Sequence, residues 1–147
     1  MSLEGDEMKS NLLKKIDHIG IVVSDLEEAV AAYSRGLGID VERRAEVPAI
    51  RLKIAILRVG ELEIELLQYE DPDHPLVKSL NVRQAGLHHI GYAVEGFDEV
   101  LDSLRANGCV VLEGFPRKGI FGKIAFIAPP HSAQERIEII ERHAGKA

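Results

Sequence analysis

A single cysteine, Cys109, stands among 147 residues. That excludes an intramolecular disulfide and any zinc site built from several thiolates. No apolar run approaches about 18 residues, which excludes a membrane-spanning helix. The opening MSLEGDEMKS lacks the hydrophobic core of a secretory signal. Met1-Ser2-Leu3 reads as an expression scar, with Met8 as the native start and the cytoplasm as the expected compartment. Positive charge is also scarce: 18 Lys and Arg face 24 Asp and Glu, for a net charge of −6. A nucleic-acid-binding face is not expected from that balance. What is present is ordinary globular material, 46% hydrophobic and 29% charged. A chain of this length folds as one domain and buries roughly 68–70% of its unfolded surface.

The chain repeats itself. Asp17-His18-Ile19-Gly20-Ile21-Val22-Val23 returns as His88-His89-Ile90-Gly91-Tyr92-Ala93-Val94. Ile64-Glu65-Leu66-Leu67 returns as Ile137-Glu138-Ile139-Ile140. The histidines are 71 residues apart and the glutamates 73, so one module occurs twice.

Each copy reads strand, helix, then three strands. Ile16 to Val23 is a strand, and Ser24 with Glu27 forms a capping box that starts a helix. Leu26, Ala29, Val30, Tyr33 and Leu37 recur at helical spacing, and Gly36 and Gly38 end the run. Strands follow at Ile39–Arg43, Leu52–Val59 and Leu62–Tyr69. In the second copy, Leu87–Val94 is a strand and Phe97 to Leu104 mark a helix that ends at Asn107-Gly108. Cys109–Leu112, Gly122–Ile127 and Arg136–Glu141 complete it. The boundaries are a tag or disordered N-terminus at 1–13, a first module at 14–69 and a linker with a short helix at 70–86. A second module at 87–142 and a tail at 143–147 follow. The expected fold is α+β: two βαβββ modules forming a curved eight-stranded mixed sheet around a metal-binding cavity, with the helices outside.

Alternation along the strands selects the inward residues. Ile19, Ile21 and Val23 face the helix, which turns His18 inward beside Gly20. Likewise His89 turns inward beside Gly91. Glu65 and Glu138 each sit alone between branched neighbours, where a buried carboxylate must be paired or ligated. A histidine alone in a strand is most often structural, and a lone glutamate most often solvated. Recurrence of both in the same slots of both modules points instead to one shared site. Two imidazoles and two carboxylates suit Mn, Fe, Co, Ni or Zn better than Ca.

This pattern resembles the glyoxalase, or vicinal oxygen chelate, superfamily from about Lys14 to Arg142. Within it the closest likeness is to the methylmalonyl-CoA epimerases. His74-Pro75-Leu76-Val77-Lys78-Ser79-Leu80, Gly86-Leu87-His88-His89-Ile90 and the loop Pro116-Arg117-Lys118-Gly119-Ile120-Phe121-Gly122-Lys123 carry that likeness. The resemblance implies one divalent ion, Co, Mn, Ni or Zn, on His18, Glu65, His89 and Glu138, with Glu138 also a catalytic base. It implies a small acyl-thioester or related carbonyl substrate, α-proton abstraction with a stabilised enolate, and a homodimer.

One position departs from the epimerase pattern. Val47-Pro48 is followed by Ala49-Ile50-Arg51 where the epimerases carry Glu-Gln-Gly, so the second base is not identified. Glu46 lies three residues earlier and is not equivalent. A lactoylglutathione lyase-like isomerase would use the same quartet without that difficulty. Glu65 disfavours a ring-cleaving dioxygenase, in which a second histidine is expected there. A drug-sequestering protein of the same fold would generally lack the quartet.

The remaining features are weaker. Arg117, Lys118 and Lys123 surround Gly119 and Gly122, either as a loop closing on an anionic substrate or as a hairpin with solvated cations. Arg117 and Lys123 are the expected substrate contacts. Asp17 and Glu63 are candidate partners of the ligands, whereas His88, on the opposite strand face, is not counted. Cys109 reads as a small apolar residue, His74 as a helix start, and His131 and His143 as surface groups.

Overall fold

A computed structural model of the chain describes residues 11–130 and 136–143. The expectations about Met1, Ser2, Leu3, Met8 and His131 lie outside these residues. The element order is β1 (Lys15–Val22), α1 (Leu26–Leu37), β2 (Val41–Val47), a 3-10 turn (Pro48–Ile50), β3 (Leu52–Val59) and β4 (Leu62–Tyr69). There follow α2 (Pro75–Lys78), β5 (Gly86–Ala93), α3 (Phe97–Ala106), β6 (Val110–Val111), β7 (Arg117–Lys118), β8 (Gly122–Ala128) and β9 (Ile137–Arg142).

The strands form one open mixed sheet in the order β2-β3-β4-β1-β5-β9-β8-β6, with β7 paired to β8. Among the described residues nine strands are present rather than eight, because the Pro116–Lys123 loop is a small hairpin whose first arm is β7. In each module the first strand runs parallel to the last, β1 with β4 and β5 with β9. The modules join through an antiparallel β1–β5 pair. This join places the two HxG strands side by side.

The helices cover one face of the sheet. Leu26, Ala29, Val30 and Tyr33 of α1 pack on Ala55, Leu57 and Leu66. Phe97, Val100 and Leu101 of α3 pack on Ala125, Ile127 and Ile139. Leu12 and Leu13 join the second cluster, so ordered packing begins before the module boundary set at 14. Leu37, the last residue of the helical pattern, is 65% exposed. Gly36 lies within α1. Gly38, at φ +70°, is the left-handed residue that ends it.

The cap of α1 is Asp25 rather than Ser24. Its carboxylate Oδ1 accepts from the Glu28 amide at 2.9 Å. An aspartate one residue nearer the helix supplies a charged acceptor and so displaces the hydroxyl. At α2 the imidazole Nδ1 of His74 accepts from Leu76 N at 3.1 Å, giving His74 the helix-start role expected of it. Asp25→Ala is expected to cost about 1 kcal/mol, and Ser24→Ala well under that. Urea midpoints at unchanged slope would show the difference.

Candidate metal centre

The β1–β5 ladder carries two bulges. Its register skips from Ile16 to His18 on β1 and from His89 to Leu87 on β5, leaving Asp17 and His88 unpaired. A bulge re-aims side chains. Here each unpaired residue turns back onto the ring of the histidine that follows it. Asp17 Oδ2 lies 2.8 Å from His18 Nδ1, and His88 Nδ1 lies 2.7 Å from His89 Nδ1. Strict alternation would have sent both side chains to the other face, and for that reason His88 is invisible to a periodicity argument.

Between the bulges the pairing is reciprocal: His18 opposes Gly91, and Gly20 opposes His89. A Cβ on Gly91 would overlap the His18 ring, and one on Gly20 the His89 ring. Each module therefore supplies the glycine that makes room for the other's histidine. The result is a T-shaped pair of rings 5.3 Å apart with Nε2 atoms 3.2 Å apart. Glu138 Oε1 reaches both, at 2.7 Å from His18 Nε2 and 3.1 Å from His89 Nε2. Glu65 stands further off, 3.8 Å from His18 Nε2. All four side chains belong to one chain and all are buried. The tight cluster is His18, His89 and Glu138, whose ligand atoms lie within 4.8 Å of one another.

The partners assign the protons. The Leu80 carbonyl can only accept, so His88 Nε2, 2.6 Å away, donates. Burial, reinforced by His89, lowers the His88 pKa to about 4, so this ring is neutral. Its Nδ1 therefore accepts from His89 Nδ1, which leaves the Nε2 of His89 to face Glu138 Oε1 and His18 Nε2. The Asp17 carboxylate likewise takes the Nδ1 proton of His18. Two imidazole nitrogens and a carboxylate oxygen thus converge, and only positive charge can sit among them. Burial acts to discharge His18, but the charges of Glu138 and Glu65 and the bond to Asp17 outweigh it and raise its pKa to about 11. Burial likewise acts to raise Glu138, and His18 holds it below the usual carboxylate range. Burial raises Glu65, with His18 opposing. One proton on His18 Nε2 thus occupies the place where a divalent cation would bring these donors together. The donor set fits such a cation, and the cluster could bind one.

A layer of ion pairs stands behind the centre. Arg142 grips Asp17 through two bonds of 2.9 and 2.8 Å and reaches Glu63 at 2.9 Å. The buried Glu63 is also held by Arg43 and Arg58, each at 2.9 Å. Burial acts to raise the Asp17 pKa, but the bonds from His18 and Arg142 outweigh it and hold it well below the usual range.

A cavity of about 340 Å³ opens onto the cluster. Its walls are mostly aliphatic and aromatic, including Leu67, Leu80, Phe115 and Phe126. On the side across the β1–β5 pair from Glu138 the carboxylate is Glu65, and Val47, Ala49, Ile50, Leu52 and Ile54 bring no further one to the cavity. Glu46 lines a separate cleft beside Leu26 and Glu27, so it does not replace the missing base. Arg117 and Lys118 line the cavity, whereas the Lys123 ammonium is paired with Asp98 of α3, 2.5 Å away. The hairpin tip is anchored. Phe121 lies under the guanidinium groups of Arg43 and Arg142, 5.4 and 5.6 Å from its ring centre.

A protein-family model described as the Glyoxalase/Bleomycin resistance protein/Dioxygenase superfamily matches residues 17–126. The chain belongs to this superfamily. It is 30% identical over 130 residues to the uncharacterized protein YqjC of Bacillus subtilis, covering 88% of this chain and 93% of that one. It is 32% identical over 121 residues to an ethylmalonyl-CoA/methylmalonyl-CoA epimerase of Cereibacter sphaeroides, covering 80% and 90%. The crystal structure of methylmalonyl-CoA epimerase from Mycobacterium tuberculosis superposes with a TM-score of 0.77 at 26% identity, covering 92% and 93%. The open mixed sheet is thus the superfamily's fold, and the similar proteins include several named as methylmalonyl-CoA epimerases.

Gly91→Ala and Gly20→Ala should each displace the opposing ring and lower zinc affinity at least tenfold with circular dichroism unchanged, read by chelator competition. A second expectation concerns pH. The pKa of His18 is raised, so its contribution to metal-free stability is complete below about 6.5 and is lost as pH rises through about 11. Thermal midpoints of wild type and His18→Gln between pH 6 and 11 should therefore converge as pH rises.

Proposed function

We propose that this protein is a divalent-metal-dependent isomerase that moves the proton α to a thioester carbonyl, with methylmalonyl-CoA epimerisation as the leading reaction. The convergence of His18 Nε2, His89 Nε2 and Glu138 Oε1 in a buried cavity is the observation that carries this reading. His18, His89 and Glu138 would hold the ion, with Glu65 as a fourth ligand after a small approach. Co, Mn, Ni and Zn all match the donors. When bound, the ion supplies positive charge beside the carbonyl, where negative charge develops as the α-proton leaves.

The chain's own residues do the rest. Glu138 takes the α-proton on one face, and epimerisation requires a second group to deliver a proton to the other. The apolar walls exclude water, which strengthens the electrostatics inside. Arg117 and Lys118 draw an anionic substrate to the cavity, in keeping with acyl-CoA substrates such as those named for the relatives. Lys123, committed to Asp98, has no part in this reading. The protein would act as a cytoplasmic homodimer with each site complete in one chain.

A second reading has one observation in its favour. The wall across from Glu138 offers Ala49 where an epimerase would place its other base, and Glu65 on that side is taken up as a ligand in this reading, so proton transfer by Glu138 on a single face suits the cavity. That is the chemistry of a lactoylglutathione lyase-like isomerase. A sequestering module of the same fold has no use for a buried acid among two histidines.

Exchange of the α-proton of methylmalonyl-CoA in D2O, followed by NMR, separates these readings. Metal-loaded protein should catalyse exchange with loss of stereochemistry, and chelation should abolish it. Glu138→Gln should slow exchange by about 10²–10⁴-fold. Exchange with retained configuration would select the single-face reading, and a folded, metal-loaded protein without exchange would overturn the thioester substrate.

A further inference from the structure

His88 has no part in the chemistry above, yet it is tied to the centre of the site. It fills, in the second module, the slot that Asp17 fills in the first. Both are the bulged residues of the β1–β5 ladder, and both bond to Nδ1 of the next histidine. Its other nitrogen, Nε2, is committed to the Leu80 carbonyl at 2.6 Å. Its ring also lies 6.2 Å from that of Phe126, a cavity residue.

We propose that His88 is the positioning residue of the second metal-binding histidine: it keeps His89 protonated at Nδ1, frees Nε2 for the cation, and anchors that ring to the linker. The inference rests on the metal reading given above. A neutral imidazole exchanges its proton between two nitrogens, and only one of the two tautomers can offer Nε2 to a cation held between His18 and Glu138. The fixed acceptor at Leu80 removes that choice. Because it admits only a donor, His88 must offer Nδ1 as an acceptor, and His89 must answer with a proton. Main-chain geometry at position 80 is thereby converted, through two rings, into an Nε2 free for a cation at the centre of the site.

The link also joins two parts of the cavity. Leu80 gives its side chain to the cavity wall and its carbonyl to His88. The segment that contacts a bound substrate is therefore the one that aims His89. In metal proteins such outer partners typically account for 10- to 100-fold in affinity.

The test compares three substitutions at one position. Asn can place an acceptor where Nδ1 stands, Gln can place a donor near Nε2, and Leu can do neither. Zinc affinity would be read by chelator competition. The His89 tautomer would be read independently, in metal-free protein, by long-range proton–nitrogen NMR of the imidazoles. His88→Leu should lose about 10- to 100-fold in zinc affinity and leave His89 as a mixture of tautomers. His88→Asn should hold His89 at Nδ1–H and stay within a few-fold of wild type, with His88→Gln below it. Should the Leu variant fail to fold, the Asn-above-Gln order carries the test. Wild-type tautomer and affinity in His88→Leu, or no difference between Asn and Gln, would overturn the proposal and leave the metal reading intact. A wild-type protein that takes up none of zinc, cobalt, manganese or nickel would overturn both.

Discussion

Two imidazole nitrogens and a carboxylate oxygen pointed at one spot, away from water, form the constraint around which this molecule is organised. His18, His89 and Glu138 could not be buried so close together unless positive charge lay among them. The strands that deliver them are β1, β5 and β9, the centre of the sheet. Fold and site therefore share a foundation: the antiparallel β1–β5 pair joins the modules and also interleaves each histidine with the other module's glycine. A side chain at either glycine would force the rings aside, so the close β1–β5 join and the histidine pair depend on the same two glycines.

Around that centre the charges are graded. Asp17 holds His18, Arg142 holds Asp17, and Glu63 shares Arg142 with two further arginines. Buried ion pairs of this kind stabilise little on balance, since desolvation offsets much of their attraction. Their effect here is geometric. Arg142 and Arg43 also cover Phe121 at the tip of the β7–β8 hairpin. The cavity edge and the back of the site thus rest on the same two guanidinium groups.

Much of this was legible in the sequence, for definite reasons. A repeat offset by 71 to 73 residues exposes module symmetry, and alternation within a strand is local. His18, His89, Glu65 and Glu138 could therefore all be placed inward from their neighbours alone. What was not legible depends on partners distant in sequence. The bulges at Asp17 and His88 exist only in the ladder between β1 and β5, and without them His88 reads as facing away. The pairing of Lys123 with Asp98 depends on how β8 lies against α3. Glu65's greater distance from His18 reflects a tertiary detail of less than 2 Å that no pattern encodes. The Asp25 cap was within reach, since aspartate caps as well as serine does.

The bulged positions carry one more consequence. The two modules pair their strands alike on either side of the β1–β5 join, but the residues behind the two histidines are not alike. Behind His18 stands a carboxylate, and behind His89 a neutral ring. An imidazole backed by an anion is the stronger electron donor at its far nitrogen. The centre is therefore polar along the line joining the modules, rich in electrons on one side and poorer on the other. A ligand settling between them would meet two unequal hands, so a scaffold of two like modules can still tell left from right.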